Sequence, residues 1–183
     1  AGTFSGAAGA SSIAVCESCL AGKYSVTFGA TSDASCVECG AGKYSSTSGA
    51  TSDSTCIKCG AGKYSLAQGN DEETDCVLCD VGKYLPSTGA TSATSCTRCD
   101  AGKYSTVPGA ITADTCDDCT AGKYSTSAGA ESEAACEECL AGTYSARYGA
   151  DTPDSCISCD AGKYSSTVGA DSANSCQDCD AGK

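Results

Sequence analysis

Eighteen cysteines are the residues of this chain best equipped for chemistry. They fall in nine CxxC pairs, from Cys16 and Cys19 to Cys176 and Cys179, one pair every twenty residues. Thiols at that spacing can hold zinc, run thiol–disulfide exchange or be oxidised to structural cross-links. CxxC, sixteen residues and CxxC again meets the spacing of a zinc ribbon. Yet nine pairs taken two at a time leave one over, equal spacing names no preferred partner, and the chain has no histidine. Redox CxxC motifs occur singly beside a βαβ pattern, not on a lattice. Structural disulfides remain. With 18 cysteines in 183 residues, the composition is that of a disulfide scaffold made in an oxidising compartment.

Little else in the sequence supports catalysis, and no catalytic residue, metal site or cofactor is expected. Without histidine there is no ordinary general base or triad, and no glycine-rich phosphate loop opens a helix. Acidic residues such as Asp33, Asp53, Glu73, Asp117, Asp118, Glu137 and Glu138 lack the alternating spacing of a calcium loop and read as a solubilising surface. A net charge of −12 disfavours nucleic acid, and no apolar run reaches the length of a membrane span. Hydroxyl groups are the remaining candidates. Ser46, Thr47, Ser48, Thr51, Ser52, Ser87, Thr88, Thr91 and Ser92 cluster where loops are expected and could carry O-linked sugar or satisfy turn hydrogen bonds. Asn174 begins only the rare NSC form of an N-linked sequon, and no standard NxS or NxT is present.

The elements that must position these residues follow from a strict twenty-residue period without insertions. One glycine column runs from Gly2 to Gly182 and a second from Gly9 to Gly169. An aromatic column begins at Phe4 and continues as Tyr24, Tyr44, Tyr64, Tyr84, Tyr104, Tyr124, Tyr144 and Tyr164, read as inter-repeat packing residues. Lysines precede most of the tyrosines and are expected to lay their stems over neighbouring rings. Each repeat offers one aromatic, two cysteines and one aliphatic such as Val37, Ile57, Val77 or Ile157, too little for a conventional core. No 3.6-residue apolar period predicts helix, whereas KYS and the residues around each closing cysteine suit very short strands, with Gly-Ala supplying a turn. The expected fold is small, disulfide-rich and mostly β or irregular: an elongated solenoid-like rod of about nine modules, each a short hairpin closed by one disulfide.

Three connectivities treat every repeat alike. Each CxxC could close on itself, its second cysteine could join the first of the next pair, or its first could join the second of the next. The second option closes a sixteen-residue loop each time and contributes about 3 kcal/mol per bond on the chain-entropy estimate, which makes it the preferred one.

Each loop reads as Cys, two residues, GKY or GTY, a serine-rich stretch, GA or GN, and a closing Cys. This pattern resembles the single-disulfide module that opens the cysteine-rich domains of tumour necrosis factor receptors. It resembles more closely the ephrin-receptor-like cysteine-rich repeats found in tandem on eukaryotic surface proteins, including those of protists and algae. The resemblance implies bonds Cys19–Cys36, Cys39–Cys56, Cys59–Cys76, Cys79–Cys96, Cys99–Cys116, Cys119–Cys136, Cys139–Cys156 and Cys159–Cys176. The proline often found after the first cysteine is replaced by residues such as Leu20, Gly40 or Asp80, and the alternating two-disulfide modules of the receptors are absent.

Residues 1–183 are therefore expected to form one continuous array, with modules at about 19–36, 39–56, 59–76, 79–96, 99–116, 119–136, 139–156 and 159–176. Cys16 and Cys179, left without partners by this pairing, are candidate links to further segments of a longer array or filament. The expected role is structural: an extracellular filament, appendage or coat at the cell surface, self-associating and carrying glycans. The alternative is the stalk of an adhesin or receptor.

Overall fold

The computed structural model describes residues 1–180; Gly182, last of its glycine column, lies outside the described residues. The chain divides into two compact units, Ala1–Cys79 with Leu85–Cys96, and Asp80–Tyr84 with Thr97–Lys183. One element recurs in both. In the first unit, strand Lys23–Tyr24 pairs antiparallel with Val37–Glu38, so that Lys23 faces Glu38 and Tyr24 faces Val37. The chain enters through a turn in which the Lys23 N–H donates to the Leu20 carbonyl at 3.2 Å. It leaves after Tyr24, turns at Gly29 (φ +66°), makes a single 3₁₀ turn over Asp33–Ser35 and returns through Cys36. Among the described residues there are nine such hairpins. Eight carry a disulfide, from Cys19–Cys36 to Cys159–Cys176, with Cα–Cα distances of 5.6 to 5.9 Å. The ninth, Thr3–Phe4 with Glu17–Ser18, has none.

A two-residue hairpin cannot stand alone in water, so each depends on its disulfide and its neighbours. In the first unit the Gly22 N–H donates to the Ser45 carbonyl (2.7 Å), Ser25 N–H to Ala50 (2.9 Å) and Gly49 N–H to Cys19 (2.7 Å), tying one module to the next. Tyr24 and Ala50 thereby form a parallel bridge. Second neighbours also touch. A Cβ on Gly22 (φ +79°) would lie 2.1 Å from the Gly69 carbonyl oxygen, so Gly22, like Gly2, Gly42, Gly82, Gly102 and Gly122 of the same column, is required both by backbone conformation and by close approach of another chain segment, whereas Gly142 and Gly162 have open space at that position. The second unit repeats the scheme: Gly102 N–H donates to Ser125 (2.7 Å), Ser105 N–H to Ala130 (3.1 Å), and a Cβ on Gly102 would lie 2.4 Å from Gly149.

Direct backbone pairing between modules leaves an interior mostly for small side chains. The buried positions are mainly bonded cysteines, a serine column (Ser25, Ser45, Ser65, Ser105, Ser125, Ser145, Ser165) and an alanine column (Ala50, Ala90, Ala110, Ala130, Ala150, Ala170). Leu85 takes the serine position in one module, packing with Cys79, Ala90 and Cys96 against Tyr64. Val37, Ile57, Val77 and Ile157, the aliphatics too few for a conventional core, are more than half exposed on the closing strands. The 3₁₀ turns, three residues each, also went unanticipated, because a single turn carries no apolar period.

Candidate interaction surface

With its cysteines oxidised, the array offers little thiol chemistry. The first cysteine of most bonds is sealed from solvent, Cys39, Cys59, Cys79, Cys119 and Cys139 being 0% exposed. Cys16 and Cys179 are exposed free thiols. Eight disulfides in so short a chain fit maturation in an oxidising compartment.

The tyrosines sit at module junctions through their backbones. Tyr24, Tyr44, Tyr64, Tyr84, Tyr104, Tyr124 and Tyr144 each bridge to the alanine or asparagine of the following module, and their side chains are half-buried. Tyr164 is exposed. The Tyr124 hydroxyl donates to Glu137 Oε2 at 2.9 Å, and this bond to a carboxylate raises the phenol above its usual value.

Local hydrogen bonding separates the candidate hydroxyls into two groups. Ser52 and Ser92 cap the following 3₁₀ turns, accepting from the Ser54 N–H at 3.3 Å and the Thr94 N–H at 3.2 Å. Ser46, Thr47, Ser48, Thr51, Ser87, Thr88 and Thr91 are exposed. The serine of the KYS segment, expected to belong to a short strand, follows the strand as a buried acceptor: Ser25 Oγ takes the Thr27 N–H at 3.3 Å. Its period was visible, but nothing in a hydroxyl residue signals burial.

Charges line the hairpin faces. Lys23 meets Glu38 (3.3 Å), Lys63 meets Glu73 (2.7 Å), Lys103 meets Asp118 (2.6 Å) and Lys123 meets Glu133 (2.9 Å). The Glu133 bond is the main cause of a raised Lys123 pKa, partly offset by desolvation. Two hairpins differ: Lys43 faces Lys58, and Lys83 faces Arg98.

The row from Ser65 to Cys79, with its run of acidic residues, and the row with Arg147 and Tyr148 are the least regular, and they behave differently. Asn70, in the acidic row, is buried and structural, its amide donating to Ser65 Oγ (2.7 Å), Lys43 O (3.2 Å) and Ala67 O (3.3 Å). Asp75 closes the turn by accepting from the Asp71 and Glu72 N–H groups, both at 3.1 Å. Arg147 and Tyr148 stay exposed, and Arg147 pairs with Asp151 at 3.6 Å beside an open depression of about 410 Å³. Among the described residues no group of three or more His, Cys, Asp or Glu is arranged to hold a metal, and no helix is long and apolar enough to cross a membrane. Compared with known protein families and with curated proteins, the chain matches none.

Proposed function

We propose that this chain is a structural component of an extracellular filament, appendage or coat, acting as a disulfide-stapled rod at the cell surface and not as an enzyme. The observation that carries the reading is the sameness of the junctions. Module after module within each unit is joined by the same backbone hydrogen bonds and closed by a disulfide of the same span, and uniform modules in register are what polymer geometry requires. The likeness to ephrin-receptor-like repeats points the same way. Exposed Cys16 and Cys179 are the candidate links to further segments, and the exposed hydroxyls are the candidate carriers of O-linked sugar. Electron microscopy of the native material with an antibody to the chain tests the proposal. Label repeating along filaments is the expected result; label confined to discrete compact particles overturns it.

A further inference from the structure

The two hairpins with facing cations stand out in an acidic molecule. Rows 41–60 and 81–100, with Lys43 and Lys58 against Asp53, and Lys83 and Arg98 against Asp100, are each net positive, whereas every other complete row is net negative. Like charges directly opposite on antiparallel strands destabilise the pair. At the same register positions other hairpins place a carboxylate, as in Lys23 with Glu38 and Lys103 with Asp118. Lys83 is relieved by Asp80 at 3.0 Å. Among the described residues Lys43, Lys58 and Arg98 have no carboxylate within 4.0 Å.

Two of these cations are also held in place. Lys58 lies with its stem over Gly89 and Arg98 with its stem over Gly129, where an added Cβ would come within 3.1 Å of either side chain. Bare glycine seats a long stem and leaves the charged head at the surface, with less rotamer freedom left to lose on binding. The complementary chemistry is present on the same chain. Strands Asp117–Asp118 and Glu137–Glu138 are exposed, and Asp117 and Glu138 have no cation within 4.0 Å among the described residues.

We infer that the Lys43/Lys58 and Lys83/Arg98 pairs are each a docking point for the acidic closing strands Asp117–Asp118 and Glu137–Glu138 of a second copy of this chain. The inference rests on the filament reading and supplies its lateral contact. The net charge of −12 opposes association at long range, but at roughly 0.1 M salt the Debye length is about 10 Å and contact pairs decide.

Sedimentation equilibrium of the oxidised chain at that ionic strength tests it, with disulfide mapping and protease resistance confirming that each variant is folded. The wild-type chain is expected to self-associate. K58E/R98E and E137K/E138K are each expected to weaken self-association by about tenfold or more, and an equimolar mixture of the two to restore it. K58M/R98M keeps the stems over the glycines and removes only the charge, and is expected to weaken association as well. Wild-type chain that stays monomeric, variants that associate like wild type, or a mixture that stays apart would each overturn the docking, while leaving the filament reading to microscopy. Retention on immobilised heparin without self-association overturns it too, assigning the cation pairs to a sulfated polysaccharide.

Discussion

Glycine at position 42 answers two demands at once, a φ of +73° and a second-neighbour carbonyl 2.4 Å from where a Cβ would sit, whereas Gly29 (φ +66°) has open space around it. Gly29→Ala is therefore expected to cost only the left-handed backbone term, about 1–2 kcal/mol. Gly42→Ala adds overpacking against backbone that cannot yield, for a total of roughly 3 kcal/mol or more. Chemical denaturation of the oxidised chain measures both, and equal costs would mean that the close approach is absent. Tyr124 makes a titration prediction. Its phenol is raised by the hydrogen bond to the Glu137 carboxylate. A raised value means that the bond's contribution is complete below the ordinary phenol range and is lost as pH climbs through the raised one. Glu137→Gln is expected to bring the Tyr124 titration down toward the ordinary value in a phenolate absorbance or NMR titration. An unchanged curve would remove the carboxylate as the cause.

Elements of two or three residues are stable here only because each end is tied. Ser52 is one such tie, and Ser52→Ala is expected to cost about 1 kcal/mol as a lost cap, while Thr51→Ala on the exposed side should cost a few tenths at most. The disulfide is a larger one. Replacing Cys99 and Cys116 with alanine reopens a loop worth about 3 kcal/mol, and its effect should spread along the observed contacts. Module 119–136 receives Gly102 N–H on Ser125, and module 139–156 meets Gly102 at Gly149. Hydrogen exchange is expected to rise in module 99–116 and in both of these, with module 19–36 unchanged. Loss confined to module 99–116, or spread evenly over the chain, would contradict the junction scheme.

For the whole molecule the balance of forces lies with oxidation. The interior consists mainly of half-cystines, serines and alanines, which bury too little apolar surface to offset the entropy of ordering the chain. A reductant is thus expected to abolish protease resistance throughout, whereas a chelator under non-reducing conditions should leave it intact. Resistance lost to the chelator would reinstate a metal role for the thiols.

The sequence alone determined the period, the class of fold and the hairpin positions, because a strict twenty-residue repeat demands an equivalent environment for each column. Symmetry also narrowed eighteen cysteines to three connectivities, loop entropy disfavoured closing each CxxC on itself, and the resemblance to ephrin-receptor-like repeats implied the one in which Cys19 bonds Cys36. What the columns do was decided by tertiary structure. Period tells that Ser25 and Val37 each recur in a set place, but not that Ser25 is sealed at 0% exposure while Val37 is 51% exposed. Hydrophobicity argued the reverse. The reason is distance: modules approach closely enough for Gly22 to bond Ser45 directly, and at that separation side chains as small as serine, alanine and half-cystine fill most of the space between them, Leu85 and Asn70 being the larger exceptions. The contact of Gly22 with Gly69 was likewise illegible, since a periodic sequence looks the same whether a module touches its first neighbour or its second.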